Sequence, residues 1–161
     1  GRSVGRFDSR ITGIDKDDAS ETFERDPSFD VVQGVYSACL NDYVRRELKF
    51  ESDLPYEILS FKVLPKWKYD EFQNNFVNVA ETLRGAMMKN PHLKLFVANG
   101  IYDMATPFYA TEYTINHLGL RDGVNENVTM AYYGAGHMMY THKPSLRSLA
   151  TDLKKFIKGA S

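Results

Sequence analysis

A single cysteine, Cys39, stands among the 161 residues, so no intramolecular disulfide can staple the fold and stability has to come from burial. Its place inside an apolar helical pattern predicts that it packs as a small hydrophobe. An excess of one charge is also lacking. Twenty Lys and Arg face 21 Asp and Glu, and no basic stripe accumulates, which excludes the electrostatic footprint of a nucleic-acid binder. No apolar run approaches the ~18 residues of a membrane span, and the first thirty residues lack the apolar stretch of a signal peptide. The chain therefore reads as soluble and not membrane-bound, with a lost leader and the compartment left open. Internal repeats and low-complexity segments are absent too.

What is present is the composition of a chain that folds: 43% apolar residues, 13% aromatic, enough to build a core. Residues 1–29 are polar and punctuated by Gly5, Asp8, Gly13, an acidic run from Asp15 to Asp18, and Asp26-Pro27, a pattern that reads as loop. From Asp30, a good N-cap residue, Val32, Tyr36, Cys39, Leu40, Tyr43 and Val44 recur at helical spacing and predict a helix to about Leu48. Residues 52–69 hold Pro55 and Pro65 around Ile58, Phe61 and Val63, consistent with a short strand or extended segment, followed by Trp67 and Tyr69. Asp70 then reads as the cap of a second helix with Phe72, Phe76, Ala80, Leu83 and Met87 on one face, ended by Asn90-Pro91.

The last seventy residues follow a regular alternation: strand over 93–98, helix over 107–118, strand over 128–133, helix over 145–157. Thr106 is a candidate N-cap, and Leu146, Leu149, Ala150, Leu153, Phe156 and Ile157 form an apolar stripe on the last helix. Such a β-α-β-α unit predicts two parallel strands joined by a right-handed crossover. The continuous apolar run Leu95-Phe96-Val97-Ala98 is that of a strand covered on both faces. Two strands do not supply that cover, so further strands in the first ninety residues, a partner chain or a missing N-terminal part are expected. The fold class is α/β, with a loop-rich and helical part over 1–90 and the β-α-β-α part over 91–161.

In α/β proteins the chemistry gathers beyond the C-terminal ends of the strands. There Asp103 follows the first strand and His137 the second, at equivalent places. A carboxylate that selects an imidazole tautomer has to reach hydrogen-bond distance, and adjacent strand ends, ~5 Å apart, allow it. Gly134 and Gly136 are read as freeing the backbone beside His137 to turn. Simpler roles stay open: Asp103 as the cap of the turn before Thr106, and His137 as a loop histidine satisfied by backbone groups.

The motif Asn99-Gly100-Ile101-Tyr102-Asp103, followed by Thr106-Pro107, and then Tyr133-Gly134-Ala135-Gly136-His137-Met138-Met139-Tyr140, resembles the Asp and His motifs of the serine carboxypeptidase family within the α/β-hydrolase superfamily. The resemblance is strong over about 90–158 and weaker upstream, around Asn41-Asp42-Tyr43 and Trp67. It implies a partial α/β-hydrolase fold, with Asp103 as triad carboxylate, His137 as triad base, a peptide substrate bound through its C-terminus, and no cofactor. Met138 and Tyr102 become candidates for substrate binding, while packing beneath the loop is an equal alternative for Met138, Met139 and Tyr140. The family's serine sits in a Gly-Glu-Ser-Tyr-Gly-type elbow far upstream, so the chain is expected to be a fragment, a processed chain or a truncated form. Its missing N-terminal half is then a partner, and self-association is a further expectation. A secreted or periplasmic place for the full-length protein is compatible with this.

Gly1-Arg2-Ser3-Val4-Gly5 spells G-x-S-x-G, but an elbow serine needs a strand leading in and a helix leading out. Polar loop residues follow Gly5 instead, and the stretch Arg6-Phe7-Asp8-Ser9-Arg10-Ile11-Thr12-Gly13 resembles a part of the family beyond its elbow. His92, His117 and His142 show no metal-ligand spacing, so no zinc is expected. Asn127-Val128-Thr129 matches a glycosylation sequon by letters only, at a strand start, and receives no role. Two function classes follow: a serine-type hydrolase, including its esterase and acyltransferase relatives, whose fragment is inactive alone, and a non-enzymatic binding or assembly module.

Overall fold

The computed structural model describes residues 1–15, 25–56, 60, 62–73 and 75–160 and is mixed α/β. Two small sheets appear. Strands β1 (Arg2–Val4) and β2 (Thr12–Ile14) pair antiparallel, with Ser3 opposite Gly13. A loop was expected here. The strands are three residues long and mostly polar, too short to print a period-2 pattern, and their position follows from where the connecting turn docks. That turn is closed by Gly5 N–H to Ile11 O at 2.8 Å and Ile11 N–H to Asp8 O at 3.0 Å. Ser3 lies in mid-strand, not at a strand-to-helix turn. Of the acidic run, Asp15 is described and 16–18 lie outside the described residues.

Helix α1 (Pro27–Asp42) begins earlier than Asp30. Asp26 is its N-cap, accepting from Ser28 N–H at 2.9 Å, and Pro27 occupies the first turn, where a missing N–H costs nothing. The Asp-Pro pair read as loop punctuation is the helix start. Asp30 sits in the first turn, where its charge favours the helix dipole. A five-residue π-helical turn (Tyr43–Glu47) continues it, and Lys49, at φ 54°, lets Phe50 N–H return to Val44 O at 3.1 Å. The apolar face of α1 is exposed: Val35 is 63% accessible. Cys39 is exposed too, against the expectation that it packs inside. Periodicity shows that a face wants cover, and nothing among the described residues covers this one.

Ile58 and Phe61, read as part of a strand, lie outside the described residues. Val63 sits in a turn before a 3-10 turn (Leu64–Lys66). Asp70 caps no long helix. It opens a 3-10 turn (Asp70–Phe72) at φ 48°, and Phe76 is 97% exposed. Helix α2 (Ala80–Lys89) starts after Val79, its N-cap, which makes no side-chain cap bond; just before it the Asn78 side chain accepts from Ala80 N–H at 3.0 Å in an Asx turn. Met87 on α2 is fully buried, and Asn90, restrained by Pro91, ends the helix as expected.

Strands β3 (Leu95–Gly100) and β4 (Val128–Tyr133) pair in parallel, Leu95 opposite Val128 through Gly100 opposite Tyr133. Helices α3 (Phe108–Asn116) and α4 (Lys143–Gly159) follow their strands in the expected order, with bounds shifted by one or two residues. Successive strand residues point to opposite faces. Tyr132 accordingly donates to Glu112 of α3 at 2.7 Å, while Tyr133 donates to Asp152 of α4 at 2.9 Å. Phe96 on the Tyr133 face meets Phe156 of α4, ring centres 5.4 Å apart. A core of Tyr133, Ala135 and Met139, with Ala98, Ala131 and Leu149 against it, supports the C-terminal end of the pair. Among the described residues β3 and β4 pair only with each other, so each keeps one free edge. Leu95 to Ala98 are half-buried and not covered on both faces. No helix of the described residues is long and apolar enough to cross a membrane.

Candidate active site

Pairing continues past the strands and sets the two loops against each other. Ile101 N–H reaches Tyr133 O at 3.0 Å, and Tyr102 N–H reaches Ala135 O at 3.0 Å. Asp103 N–H then turns back to Gly100 O at 3.2 Å. Gly100 is required by close approach: a Cβ there would lie 2.2 Å from Gly136 O. Gly136 serves the same purpose. Neither it nor Gly134 adopts the left-handed backbone, so neither makes the sharp turn read from the sequence: Gly136 creates room, while a Cβ on Gly134 would meet nothing within 4 Å.

The result is direct contact between the two predicted residues. His137 Nδ1 lies 2.8 Å from Asp103 Oδ2. The second oxygen, Oδ1, accepts from Ala105 N–H at 2.8 Å and Thr106 N–H at 2.9 Å. The Thr106 hydroxyl donates to Oδ2 at 2.7 Å and lies 3.2 Å from Nδ1. Two acceptors therefore face Nδ1, which selects the tautomer with its proton on that nitrogen and leaves Nε2 with a free lone pair. Nε2 makes no hydrogen bond among the described residues.

Asp103 is 6% exposed. Burial raises its pKa, but the Thr106 N–H and hydroxyl, His137 and the Ala105 N–H all favour the charged form, and the net effect holds the carboxyl below its usual range. Asp103 thus caps a turn and hydrogen-bonds a histidine at once. Thr106 was read as the N-cap of α3. That place belongs to Pro107, because the Thr106 side chain turns instead toward Asp103 and His137.

The other candidates stand apart. The Tyr102 ring lies beneath the Arg10 guanidinium, 4.4 Å from its carbon. Met138 is half-buried, its carbonyl taken by the Thr141 N–H and hydroxyl at 2.9 and 2.8 Å. Met139 packs in the core, and Tyr140 is exposed. His142 pairs with Ser145 Oγ at 2.8 Å, and His117 stacks on Tyr113. Asn127 is buried, its amide donating to Pro91 O at 2.6 Å, which leaves the sequon letters without an accessible nitrogen. Among the described residues no three His, Cys, Asp or Glu side chains gather into a metal site. A groove of about 490 Å³ lies at the opposite end of the strand pair, against Lys94, Phe96, Asn127 and Phe156. It is distant from the chemistry and is not the candidate site.

Sequence reasoning missed residues 6–10. The Phe7 ring centre lies 5.3 Å from that of His137, Phe7 O accepts from His137 N–H at 2.7 Å, and Arg10 donates to Gly134 O at 3.1 Å. No composition or spacing signal points to these contacts. No family model matches the chain, and no curated protein or solved structure matches it either.

Proposed function

We propose that the chain is the C-terminal part of a serine-type carboxypeptidase-like hydrolase of the α/β-hydrolase superfamily, in which Asp103 and His137 are the carboxylate and base of a catalytic triad. One observation carries the reading: His137 Nδ1 lies on the Asp103 carboxylate at 2.8 Å, at the ends of two adjacent parallel strands, with Nε2 unengaged. An imidazole so held is a general base on its other nitrogen. A serine hydroxyl from another part of the protein attacks the peptide carbonyl, and Nε2 takes its proton. The acyl-enzyme forms as His137 passes that proton to the leaving amine. Water then attacks by the reverse sequence of proton transfers. Asp103 stays ionised throughout, stabilising the imidazolium. Tyr102 and Met138 enter as substrate-binding candidates from the resemblance alone, for a peptide bound by its C-terminus, and the reading requires no cofactor. Esterase and acyl-transfer chemistry run on the same residues, since the acceptor is chosen by the pocket.

Among the described residues no serine hydroxyl meets Nε2, so the purified chain is expected not to hydrolyse a chromogenic ester. Turnover blocked by a serine-directed reagent would overturn the fragment reading. The polypeptide extended by the sequence encoded before Gly1 is expected to hydrolyse peptides from the C-terminus and to lose that activity in His137→Ala. An active extended His137→Ala variant would sink the triad assignment.

A second reading, a binding or assembly module, is favoured by the free edges of β3 and β4 and by the exposed face of α1. Light scattering separates the two. A severed hydrolase core is expected to self-associate, whereas a self-contained module is a compact monomer until its partner is added.

A further inference from the structure

Residues 6–9 cross both loops of the pair. Met104 N–H donates to Arg6 O at 3.0 Å, His137 N–H to Phe7 O at 2.7 Å, and Ser9 N–H to Tyr102 O at 2.9 Å. The Phe7 ring is tilted 43° against the imidazole. A Cβ on Gly136 would lie 2.2 Å from Phe7 O and 2.7 Å from Asp8 Cβ, so this position admits the crossing segment only as glycine. The segment is tied down in turn. Asp26 accepts from Arg6 N–H at 3.3 and 3.2 Å while capping α1. Ser28 Oγ accepts from Phe7 N–H at 3.0 Å and donates to Asp26 at 2.5 Å.

We propose that residues 6–9 are the positioning element of the Asp103–His137 pair, with Phe7 holding the imidazole and the Asp26–Ser28 cap of α1 holding Phe7. The inference rests on the reading of Asp103 and His137 as an acid–base pair. Its physical basis is that strand ends place the two backbones and leave the side-chain rotamers free. His137 is 39% exposed in its side chain, so little else restricts rotation of the ring away from Asp103. Catalytic geometry has to be held within fractions of an ångström by neighbours that are themselves locked. Phe7 supplies both a backbone acceptor and a ring face. Its partners are locked by the helix cap on one side and by the Asp8–Arg10 pair, which also grips Gly134 O, on the other. The charged groups around the imidazole are Asp103, Asp8 with Arg10 bound to it, and Arg6, whose guanidinium carbon sits 5.1 Å from the Phe7 ring centre. Asp103 alone among them bonds Nδ1 directly.

The test reads the His137 tautomer by imidazole nitrogen–proton NMR of the whole chain, at a pH well above the usual imidazole range. The His137 signals are assigned by their loss in His137→Gln. The native chain is expected to show the Nδ1–H form, and Asp103→Asn to lose it. Phe7→Ala and Ser28→Ala are expected to lose the Nδ1–H resonance in favour of a mixture of tautomers, and Phe7→Tyr to keep it. An unchanged Nδ1–H resonance in folded Phe7→Ala and Ser28→Ala would reduce the segment to ordinary packing and overturn the proposal. An unchanged resonance in Asp103→Asn would remove the pair itself, and the proposal with it. Hydrogen exchange on the unsubstituted chain decides the matter without variants: the amides of Ser9, Met104 and His137 are expected to open together, and independent opening counts against a common clamp.

Discussion

Asp103 and His137 meet through one carboxylate oxygen, Oδ2, while the other oxygen is held by the N–H groups of Ala105 and Thr106. The carboxylate is thus shared between a turn and a histidine, and its ionisation bears on both.

This sharing sets the acid limb of stability. Asp103 is held below its usual range in the folded chain, so the unfolded chain binds more protons in acid. The stabilisation is fully present above the unfolded value of about 3.9 and is lost as pH falls through the folded value. Asp8 is shifted in the same direction, chiefly by its hydrogen bond with Arg10, and acts in the same window. At neutral pH Asp103→Asn is expected to cost about 1.5–3 kcal/mol, the range for hydrogen bonds to a charged group. Urea unfolding at a series of pH values checks this. The gap between the native chain and Asp103→Asn closes as pH falls below about 4, and a gap independent of pH would contradict the assignment.

Tyr133 contributes to the alkaline limb. Burial, then its hydrogen bond to Asp152 and the charge of that residue, push its pKa up to about 12. A raised value in the folded state means stabilisation that is complete below the unfolded value of about 10 and lost as pH rises toward the folded one. Tyr133→Phe, having no proton to lose, is expected to show a shallower decline in its urea midpoint across that interval. Equal declines would mean that the hydroxyl is not held as the Asp152 contact requires.

Gly100 reports on the close crossing of the two loops. A methyl group there would face the Gly136 carbonyl, a backbone atom with little freedom to move. Gly100→Ala is expected to cost about 1–3 kcal/mol, in the range of overpacking, read from the shift in denaturant midpoint. The equivalent change at Gly134, which has no close neighbour, is expected to be near neutral. Equal effects at the two positions would contradict the crossing.

Cys39 is open to solvent on α1. One equivalent of a thiol reagent is expected to react with the native chain as readily as with the chain in denaturant. Protection that disappears on unfolding would show that the α1 face is covered, and would point to association through it.

The acidic turn before α1 shows where reading by residue type stops short. Asp26-Pro27 carries the same letters whether it breaks a chain or starts a helix, and the choice was made by Ser28, whose N–H and hydroxyl both turn to Asp26. Asp70 is the converse case. It has the letter of a cap, but α2 begins only after Val79, where the Asn78 side chain closes an Asx turn on Ala80 N–H.

The sequence by itself determined the order of strands and helices after residue 90 and the positions of Asp103 and His137 at matching strand ends. Those features are written in local periodicity and in residue types with few conformational alternatives. Only the tertiary structure decided that residues 6–9 lie across the pair, that Thr106 serves Asp103 and not the helix, and that the α1 face is exposed. The contacts that settle these points run largely through backbone N–H and C=O groups, which every residue but proline carries alike, so no letter of the sequence marks them.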